Sequence, residues 1–295
     1  MLTSFLALAI IAAPVPGVPG SYYEGLSYGD SAMHKIDLWT ADTEKPAPLV
    51  IFIHGGGFAG GSRKQMKEQN AAPFLSQGIS FATIDYRLTN EGPYPMQMHD
   101  SARALQWLRA NAEKYNIDKT RVACFGGSAG ACISMWLAFH DDMADPRSSD
   151  PVARESTRIV CAGSQNGQPT LDPRTFFKWF EVDLLTQHPA LYPLFGIQSY
   201  DEVSKPAVAK VIEDASPITH LDKNDVPVFL TYGGGDTKVT SETSPNIWVH
   251  HARLGIKLKE QMDKVGVECH VEYRGGPKIE GYSSLQDFLI KKLIG

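Results

Sequence analysis

The pentapeptide Gly126-Gly-Ser-Ala-Gly130 constrains the possible folds of this chain more than any other stretch. A run of apolar residues, 122–125, leads into it, and a helical pattern, Ile133 to Phe139, follows it. This order is typical of a nucleophile elbow, a tight strand-to-helix turn that exposes a serine Oγ above a sheet. Glycine fits the two outer positions, because a Cβ there would press on the neighbouring strand or helix. A glycine- and serine-rich turn without chemistry has the same form, so the other parts of a site must be present too.

Strand and helix patterns alternate on both sides of this pentapeptide. Pro48 to Ile53 is a continuous apolar run, which is typical of a strand buried on both faces. A hairpin precedes it, and no hairpin turn is found after residue 45. The sequence therefore predicts an α/β fold with a mostly parallel sheet and helices on both of its faces. The predicted strands are Tyr22–Tyr28, His34–Trp39, Pro48–Ile53, Gly78–Ile84, 121–125, Thr157–Ala162, Val226–Tyr232 and Val267–Tyr273, and the predicted helices are Lys64–Ser76, Met96–Tyr115, 129–140, Gly255–Val265 and Tyr282–Leu293.

Composition divides the chain into a core and two other parts. Residues 21–163 and 226–295 carry the alternating pattern and are predicted to form the core. Residues 164–225 lack strand-like runs and contain recurrent prolines, so we expect a helical cap insertion there. Its aromatic cluster, Phe176 to Phe180, is expected to pack the cap and to line an acyl pocket. Residues 1–20 form an apolar N-terminal segment.

The N-terminal segment resembles the core of a signal peptide. Its apolar run, Phe5 to Ala13, is too short to span a bilayer, although the first basic residue is only Lys35. We expect a secreted or periplasmic location in preference to a cytoplasmic one, and no integral membrane span. A net charge of −5 gives no reason to expect a nucleic-acid partner. The oligomeric state is left open.

Glycines also follow the predicted central strand, in His54-Gly-Gly-Gly57. An attacked ester carbonyl develops negative charge, which backbone N–H groups can stabilise if they already point at it. Polyglycine lets the backbone turn its amides inward, and the HGGG motif contributes one donor beside the residue after the nucleophile. We expect Gly56, Gly57 and Ala129 to form this oxyanion hole, with His54 orienting the loop.

Dinucleotide binding is an alternative for the same glycines. Gly55, Gly57 and Gly60 satisfy G-x-G-x-x-G after a strand, and Asp85 ends the next strand. In that motif the third glycine should already lie in the helix, whereas the predicted helix begins about four residues later. The serine-bearing turn would also be unexplained.

Asp236 is the candidate acid of the site. It follows a predicted strand and three glycines, downstream of Ser128. A carboxylate there would orient an imidazole and stabilise its cation, and Ser…Asp…His is the chain order of α/β-hydrolases. Aspartate after glycines is also a common turn residue.

Taken together, these motifs resemble those of the α/β-hydrolase superfamily, in its HGGG-type esterase and lipase branch, which includes hormone-sensitive-lipase-like and feruloyl-esterase-like enzymes. The resemblance spans about residues 20–295. It rests on His54-Gly-Gly-Gly-Phe58, Asp85-Tyr-Arg-Leu88, Gly126-Gly-Ser-Ala-Gly130 and Gly233-x-x-Asp236. It implies a serine carboxylic-ester hydrolase that forms an acyl-enzyme on Ser128. The resemblance also implies a catalytic histidine in the loop after the last strand.

That loop, Tyr273 to Tyr282, contains no histidine. We place His251 first as the general base, with His250 or Lys278 as alternatives. The two histidines precede a predicted helix, so local contacts at the helix start are another interpretation. Lys278 would need a pKa strongly lowered by burial. If none of them acts, the protein is a catalytically impaired ligand-binding protein of the same fold.

Small or sugar-linked esters are the expected substrates, since the acidic surface and modest cap suit them better than long-chain lipids. No cofactor is implied. The histidines show no metal-ligand spacing, so the sequence predicts no metal. The four cysteines, Cys124, Cys132, Cys161 and Cys269, fall inside apolar runs and are expected to be buried free thiols.

Overall fold

A computed structural model describes residues 11–12 and 20–295 of the chain. The possible signal peptide therefore lies almost entirely outside the described residues. Nine strands form one sheet in the order β1-β2-β3-β5-β4-β6-β7-β8-β9. The strands are β1 Ile11–Ala12, β2 Gly20–Ser27, β3 Lys35–Ala41, β4 Ala47–Ile53, β5 Ser80–Ile84, β6 Ile117–Gly127, β7 Ala162–Gln165, β8 Val228–Tyr232 and β9 Cys269–Tyr273. The α-helices are α1 Glu68–Leu75, α2 Met96–Ala110, α3 Ala129–Phe139, α4 Pro173–Phe180, α5 Leu191–Phe195, α6 Pro206–Ala215, α7 Pro245–Trp248, α8 Ala252–Val265 and α9 Leu285–Ile294.

The sheet is antiparallel at one edge and parallel elsewhere. The β1–β2, β2–β3 and β3–β5 pairs are antiparallel, and the pairs from β5 through β4, β6, β7 and β8 to β9 are parallel. The predicted α/β class and mostly parallel sheet are thus confirmed. Because the parallel strands end at the same edge, the loops that follow β4, β6 and β8 meet there.

Strand β4 lies in the middle of the sheet, and each of its seven residues is buried. Side chains of β4 alternate between two apolar cores. Leu49, Ile51 and Ile53 belong to the core that also contains residues of α2, α3 and α8, while Val50 and Phe52 belong to the core that contains residues of α1 and α9. This double burial explains the unbroken apolar run that the sequence shows for β4.

Several predicted elements have other limits in the structure, such as the helix predicted to Tyr115, which ends at Ala110, and two elements differ more. The helix predicted at Lys64–Ser76 is a 3-10 turn, Arg63–Gln65, followed by α1 from Glu68. The strand predicted at Thr157–Ala162 is wrong in position, since β7 is Ala162–Gln165. Here the apolar residues Ile159 and Cys161 are buried without belonging to the ladder. The strand itself consists of small and polar residues, which apolar periodicity does not detect.

Residues 166–227 connect β7 to β8 and contain α4, α5, α6 and two 3-10 turns, Tyr200–Ser204 and Pro217–Thr219. Helix α4 buries Phe176 and Phe180 on one face. The second 3-10 turn lies against α3, the helix that begins after Ser128, and Trp136 of α3 donates to the backbone oxygen of Asp214 in α6. We refer to this segment as the insertion.

The four cysteines are free and buried, as the sequence predicts. Burial raises the pKa of Cys124 to about 12, so this thiol is protonated at neutral pH. Among the described helices, none combines the length and the apolar character needed to cross a bilayer.

Candidate active site

Ser128 lies in the sharp turn between β6 and α3. Its φ of 50° and ψ of −114° are strained for a residue with a side chain. The strain is held by packing on both sides. A Cβ on Gly126 would lie 2.4 Å from the carbonyl carbon of Gly130, and a Cβ on Gly130 would lie 2.0 Å from the carbonyl oxygen of Ile53. The glycines are therefore required by contact, and the turn leaves the serine partly accessible.

The glycine loop after β4 runs directly against this turn. A Cβ on Gly55 would lie 2.6 Å from the carbonyl oxygen of Gly127 and 3.5 Å from Cβ of Ser128. Gly56 and Gly57 have positive φ values of 116° and 60°, so the backbone leaves the extended conformation at these residues and their amide groups are reoriented. Ala129 is the first residue of α3, where backbone N–H groups lack helical acceptors. Donors from both segments thus lie beside Ser128.

His54 anchors the start of this glycine loop. It is fully buried, and its ring stacks on Tyr86 with 4.2 Å between centroids. The Tyr86 hydroxyl donates to the backbone oxygen of His54 over 2.9 Å, and His54 Nδ1 lies 2.8 Å from the carbonyl oxygen of Gly55. Burial lowers the pKa of His54, which keeps the ring neutral at pH 7.

An ion-pair network holds the far end of the loop. Arg63 pairs with Asp85 and with the buried Asp37, and its backbone N–H donates to Asp85 over 2.6 Å. Asp85 therefore anchors the chain where the glycine loop ends, and α1 begins only at Glu68. In a dinucleotide fold the third glycine, Gly60, would lie inside that helix. The loop instead packs on the serine turn, which leaves the dinucleotide interpretation without structural support.

His250 is the histidine that contacts the serine. Its Nε2 lies 2.8 Å from Ser128 Oγ. Its Nδ1 lies 2.9 Å from the backbone oxygen of Asn246, in the short helix α7. A carbonyl oxygen can only accept, so Nδ1 carries the hydrogen. In the neutral ring the lone pair is then on Nε2, which faces the serine hydroxyl.

His251, which the sequence analysis places first, lies elsewhere and is corrected. Its Nδ1 accepts from the backbone N–H of Arg253 over 3.1 Å and so caps the start of α8. Its Nε2 lies 3.4 Å from Thr237 Oγ1, and Phe180 packs edge-on against its ring. Burial lowers the pKa of His251, with Asp236 opposing the shift. Consecutive residues at a helix start point in different directions, and the sequence alone does not distinguish them.

Asp236 does not contact His250, contrary to the expected role in orienting the base. Its two carboxylate oxygens accept from Arg253, at 2.8 Å and 3.0 Å. Its approach to a histidine is 3.9 Å, and that histidine is His251. The arginine lies in the first turn of α8 and pairs with both carboxylate oxygens.

Lys278 is exposed in the loop after β9, so it lacks the burial that a neutral lysine base requires. The loop that carries the histidine in the resembling family thus contains no histidine here, and its one candidate base, Lys278, is exposed. His250 comes instead from the segment between β8 and α8.

Two open depressions flank Ser128. One, of about 390 Å³ including space open to solvent, is mostly apolar, and its lining includes Phe58, Leu171, Phe176, Leu191 and Val249. The other, of about 1050 Å³ on the same measure, is lined by glycines and by amide side chains, among them Gln65, Gln165, Asn166 and Asn246. Of the two catalytic candidates, Ser128 lines both depressions and His250 lines the polar one.

Sequence reasoning missed two residues at this site. Asn246 orients His250 with its backbone oxygen, and its side-chain oxygen lies 3.3 Å from His188 Nε2. His188 belongs to the insertion and lines the apolar depression. Burial lowers the pKa of His188. No sequence signal identifies a backbone acceptor, since any residue type could supply it.

Comparisons with known proteins find similarity to ester hydrolases. The BD-FAE family model matches residues 36–160. The probable carboxylic ester hydrolase LipM of Mycobacterium tuberculosis is 27% identical over 222 residues, covering 72% of this chain and 48% of the relative. Esterase LipC of the same organism is 26% identical, covering 73% and 51%. The chain thus spans about half the length of these curated relatives.

Solved structures show the same fold. A truncated carbohydrate esterase from gut microbiota superposes with a TM-score of 0.73 at 18% identity, over 95% of this chain and 98% of that one. An acetyl ester-xyloside bifunctional hydrolase from Caldicellulosiruptor lactoaceticus gives 0.64 at 22% identity, over 88% and 89%. These superpositions show that the chain has the α/β-hydrolase fold. Over 72–73% of its length, its sequence is similar to those of the two curated ester hydrolases.

Proposed function

We propose that this protein is a serine carboxylic-ester hydrolase in which His250 is the general base. The observation that carries the proposal is the 2.8 Å contact between Ser128 Oγ and His250 Nε2. As Oγ attacks the ester carbonyl, Nε2 takes its proton, and the resulting imidazolium later protonates the leaving alcohol. Water then hydrolyses the acyl-enzyme through the same nitrogen.

The tetrahedral intermediate is stabilised by backbone donors in this proposal. Ala129 N–H at the start of α3 and the amides of Gly56 and Gly57 are the donors. The glycine loop packs closely on the serine turn, since a Cβ on Gly55 would lie 2.6 Å from the carbonyl oxygen of Gly127, and this packing supports donors that are positioned before substrate binds. The positive end of the α3 dipole adds to the stabilisation of the oxyanion.

The base works here without a carboxylate partner. The Asn246 carbonyl fixes the tautomer and the ring orientation of His250, which are two of the functions of the acid in a triad. The Asn246 carbonyl oxygen carries only a partial negative charge, so it stabilises the imidazolium less than a carboxylate would. We therefore expect a serine–histidine pair with a backbone acceptor.

The two depressions suit the two parts of an ester. The acyl group would enter the apolar depression, whose modest volume favours short chains. The alcohol would lie in the polar depression, where amide side chains can hydrogen-bond to hydroxyl groups. Small or sugar-linked esters therefore fit best, in line with the names of the two solved esterases. The boundaries of the cap, 164–225, remain a prediction.

Covalent labelling with a fluorophosphonate and turnover of p-nitrophenyl acetate test this proposal. Ser128→Ala should lose labelling and reduce kcat by about 10³-fold or more. Ser134→Ala, in the same helix, is the matched control and should retain both. Absence of labelling in the wild type between pH 6 and 9 would favour the ligand-binding alternative. That alternative was based on the absence of a histidine from the loop after the last strand. Because His250 contacts Ser128, this absence no longer argues against catalysis.

A further inference from the structure

Three potential metal ligands meet at the end of α3 that is remote from Ser128. His140 follows α3, Asp214 lies on α6, and His220 follows the 3-10 turn Pro217–Thr219. One nitrogen or carboxylate oxygen of each lies within 4.8 Å of the others. The sequence predicts no metal because the histidines lack local ligand spacing, but the fold assembles this group from segments far apart in the chain.

Two of the three side chains are already oriented for coordination. Nδ1 of His140 lies 2.8 Å from the backbone oxygen of Asp141, so it carries the hydrogen and Nε2 keeps its lone pair. The Tyr94 hydroxyl donates to Oδ2 of Asp214 over 2.6 Å, which leaves Oδ1 free to coordinate. Metal-binding histidines and carboxylates are typically held by such outer hydrogen bonds.

His220 must move to complete the group. Its Nε2 lies 2.7 Å from the backbone oxygen of Asp214 and 4.0 Å from Oδ1 of that residue. Two ligands on one zinc ion are about 3.4 Å apart, so a separation as large as 4.8 Å would have to close by about 1.4 Å. The His220 side chain is 19% exposed and that of Asp214 is 54% exposed, which leaves room for this adjustment.

We propose that His140, Asp214 and His220 bind one divalent transition-metal ion, with zinc as the first candidate. Two imidazoles and one carboxylate are a ligand set that zinc accepts, and the partial exposure allows water to take the fourth position. This proposal is independent of the proposed esterase activity.

The bound ion would link the insertion to α3, the helix that begins directly after Ser128. One hydrogen bond already makes this connection, since Trp136 Nε1 of α3 donates to the backbone oxygen of Asp214 over 3.0 Å. Helix α3 separates the ion from Ser128 by about 16 Å, at 1.5 Å per residue. The site is therefore structural, and it would fix the insertion that forms one wall of the apolar depression.

Zinc titration of the chelator-treated, full-length protein tests the proposal without any substrate. We expect one zinc ion per chain by calorimetry and a rise in Tm of about 4 °C at zinc concentrations 100-fold above Kd. His140→Ala, His220→Ala and Asp214→Asn should each weaken zinc binding by about 10-fold or more. His270→Ala, which removes a histidine paired with Glu268, is the matched control and should bind zinc as the wild type does.

Cobalt gives a second readout if a variant folds poorly. The wild type should give visible absorption bands typical of four- or five-coordinate cobalt, and Tyr94→Phe, which keeps all three ligands, should retain them. The proposal is overturned if the wild type binds no stoichiometric zinc. It is equally overturned if the three ligand variants bind zinc as tightly as the wild type. Loss of esterase activity in any variant bears on neither outcome.

Discussion

The nucleophile half of the site, residues 126–130, and the base half, residues 233–251, are held in different ways. In the first half every outer glycine touches neighbouring backbone, so a single conformation is possible. In the second half, most residues from 233 to 247 are exposed, and a Cβ on Gly233 or Gly234 would meet no atom within 4 Å. Backbone packing thus fixes the serine, whereas side-chain hydrogen bonds select its partner.

Substituting the two adjacent histidines tests this difference most strongly. His250→Ala should lower kcat for p-nitrophenyl acetate by about 10³-fold or more, because the serine loses its base. His251→Ala should retain most activity and lose about 0.5–2 kcal/mol of stability, because α8 loses its N-cap. Steady-state kinetics and urea unfolding separate the two effects. The reverse pattern would restore His251 as the base.

The nucleophile half could be predicted from sequence because glycines at fixed positions determine its backbone geometry. Gly126, Gly130 and the glycine loop restrict the backbone at fixed spacings, and strand and helix periodicity show where the turn lies. The base half contains two candidate bases, His250 and His251, and one candidate acid, and the third candidate base, Lys278, lies outside it. Their assignment depended on the start of α8, on the pairing of Asp236 with Arg253 and on a backbone oxygen, none of which has a sequence signature.

The strand error at Thr157–Ala162 has a related cause. The chain there buries Ile159 and Cys161 as a core strand would, but the ladder with β6 and β8 begins at Ala162. A run of apolar residues indicates that the segment is buried, but it does not indicate which of its backbone groups form hydrogen bonds with a neighbouring strand. The sequence therefore predicts the order and class of the elements better than their limits.

Alanine at matched glycines compares the two halves by stability. Gly126→Ala should lower the free energy of unfolding by about 3 kcal/mol or more, since the new Cβ would lie 2.5 Å from the Ile53 carbonyl oxygen. Gly234→Ala should change it by less than about 0.5 kcal/mol, since the space there is open. Urea denaturation measures both. Similar losses in the two variants would contradict the contrast in packing.

Neutralising Asp236 tests whether its carboxylate orients His250, as the acid of a catalytic triad would. If the Asn246 carbonyl alone orients His250, Asp236→Asn should reduce kcat/KM by less than about 10-fold, through loss of the Arg253 pair. A carboxylate that oriented the base would give a loss of about 10⁴-fold. Arg253→Gln is the matched control, since it breaks the same ion pair but leaves the carboxylate free to move. A larger activity in that variant would show that Asp236 can reach His250.

The smallest expected effect is on the pH dependence of stability, to which His54 beside the glycine loop and His251 of the base half contribute. Burial holds the pKa of His54 and of His251 below the ordinary value of about 6.5. The unfolded chain then binds protons more readily than the folded one, so this stability is present above about pH 6.5 and is lost as pH falls through the folded-state pKa values. His54→Phe, which can still stack on Tyr86, and His251→Asn, which can still cap α8, should each lose less stability than the wild type between pH 7 and 5. Urea unfolding at the two pH values measures the loss, and a wild-type slope in both variants would show that neither buried imidazole is linked to folding.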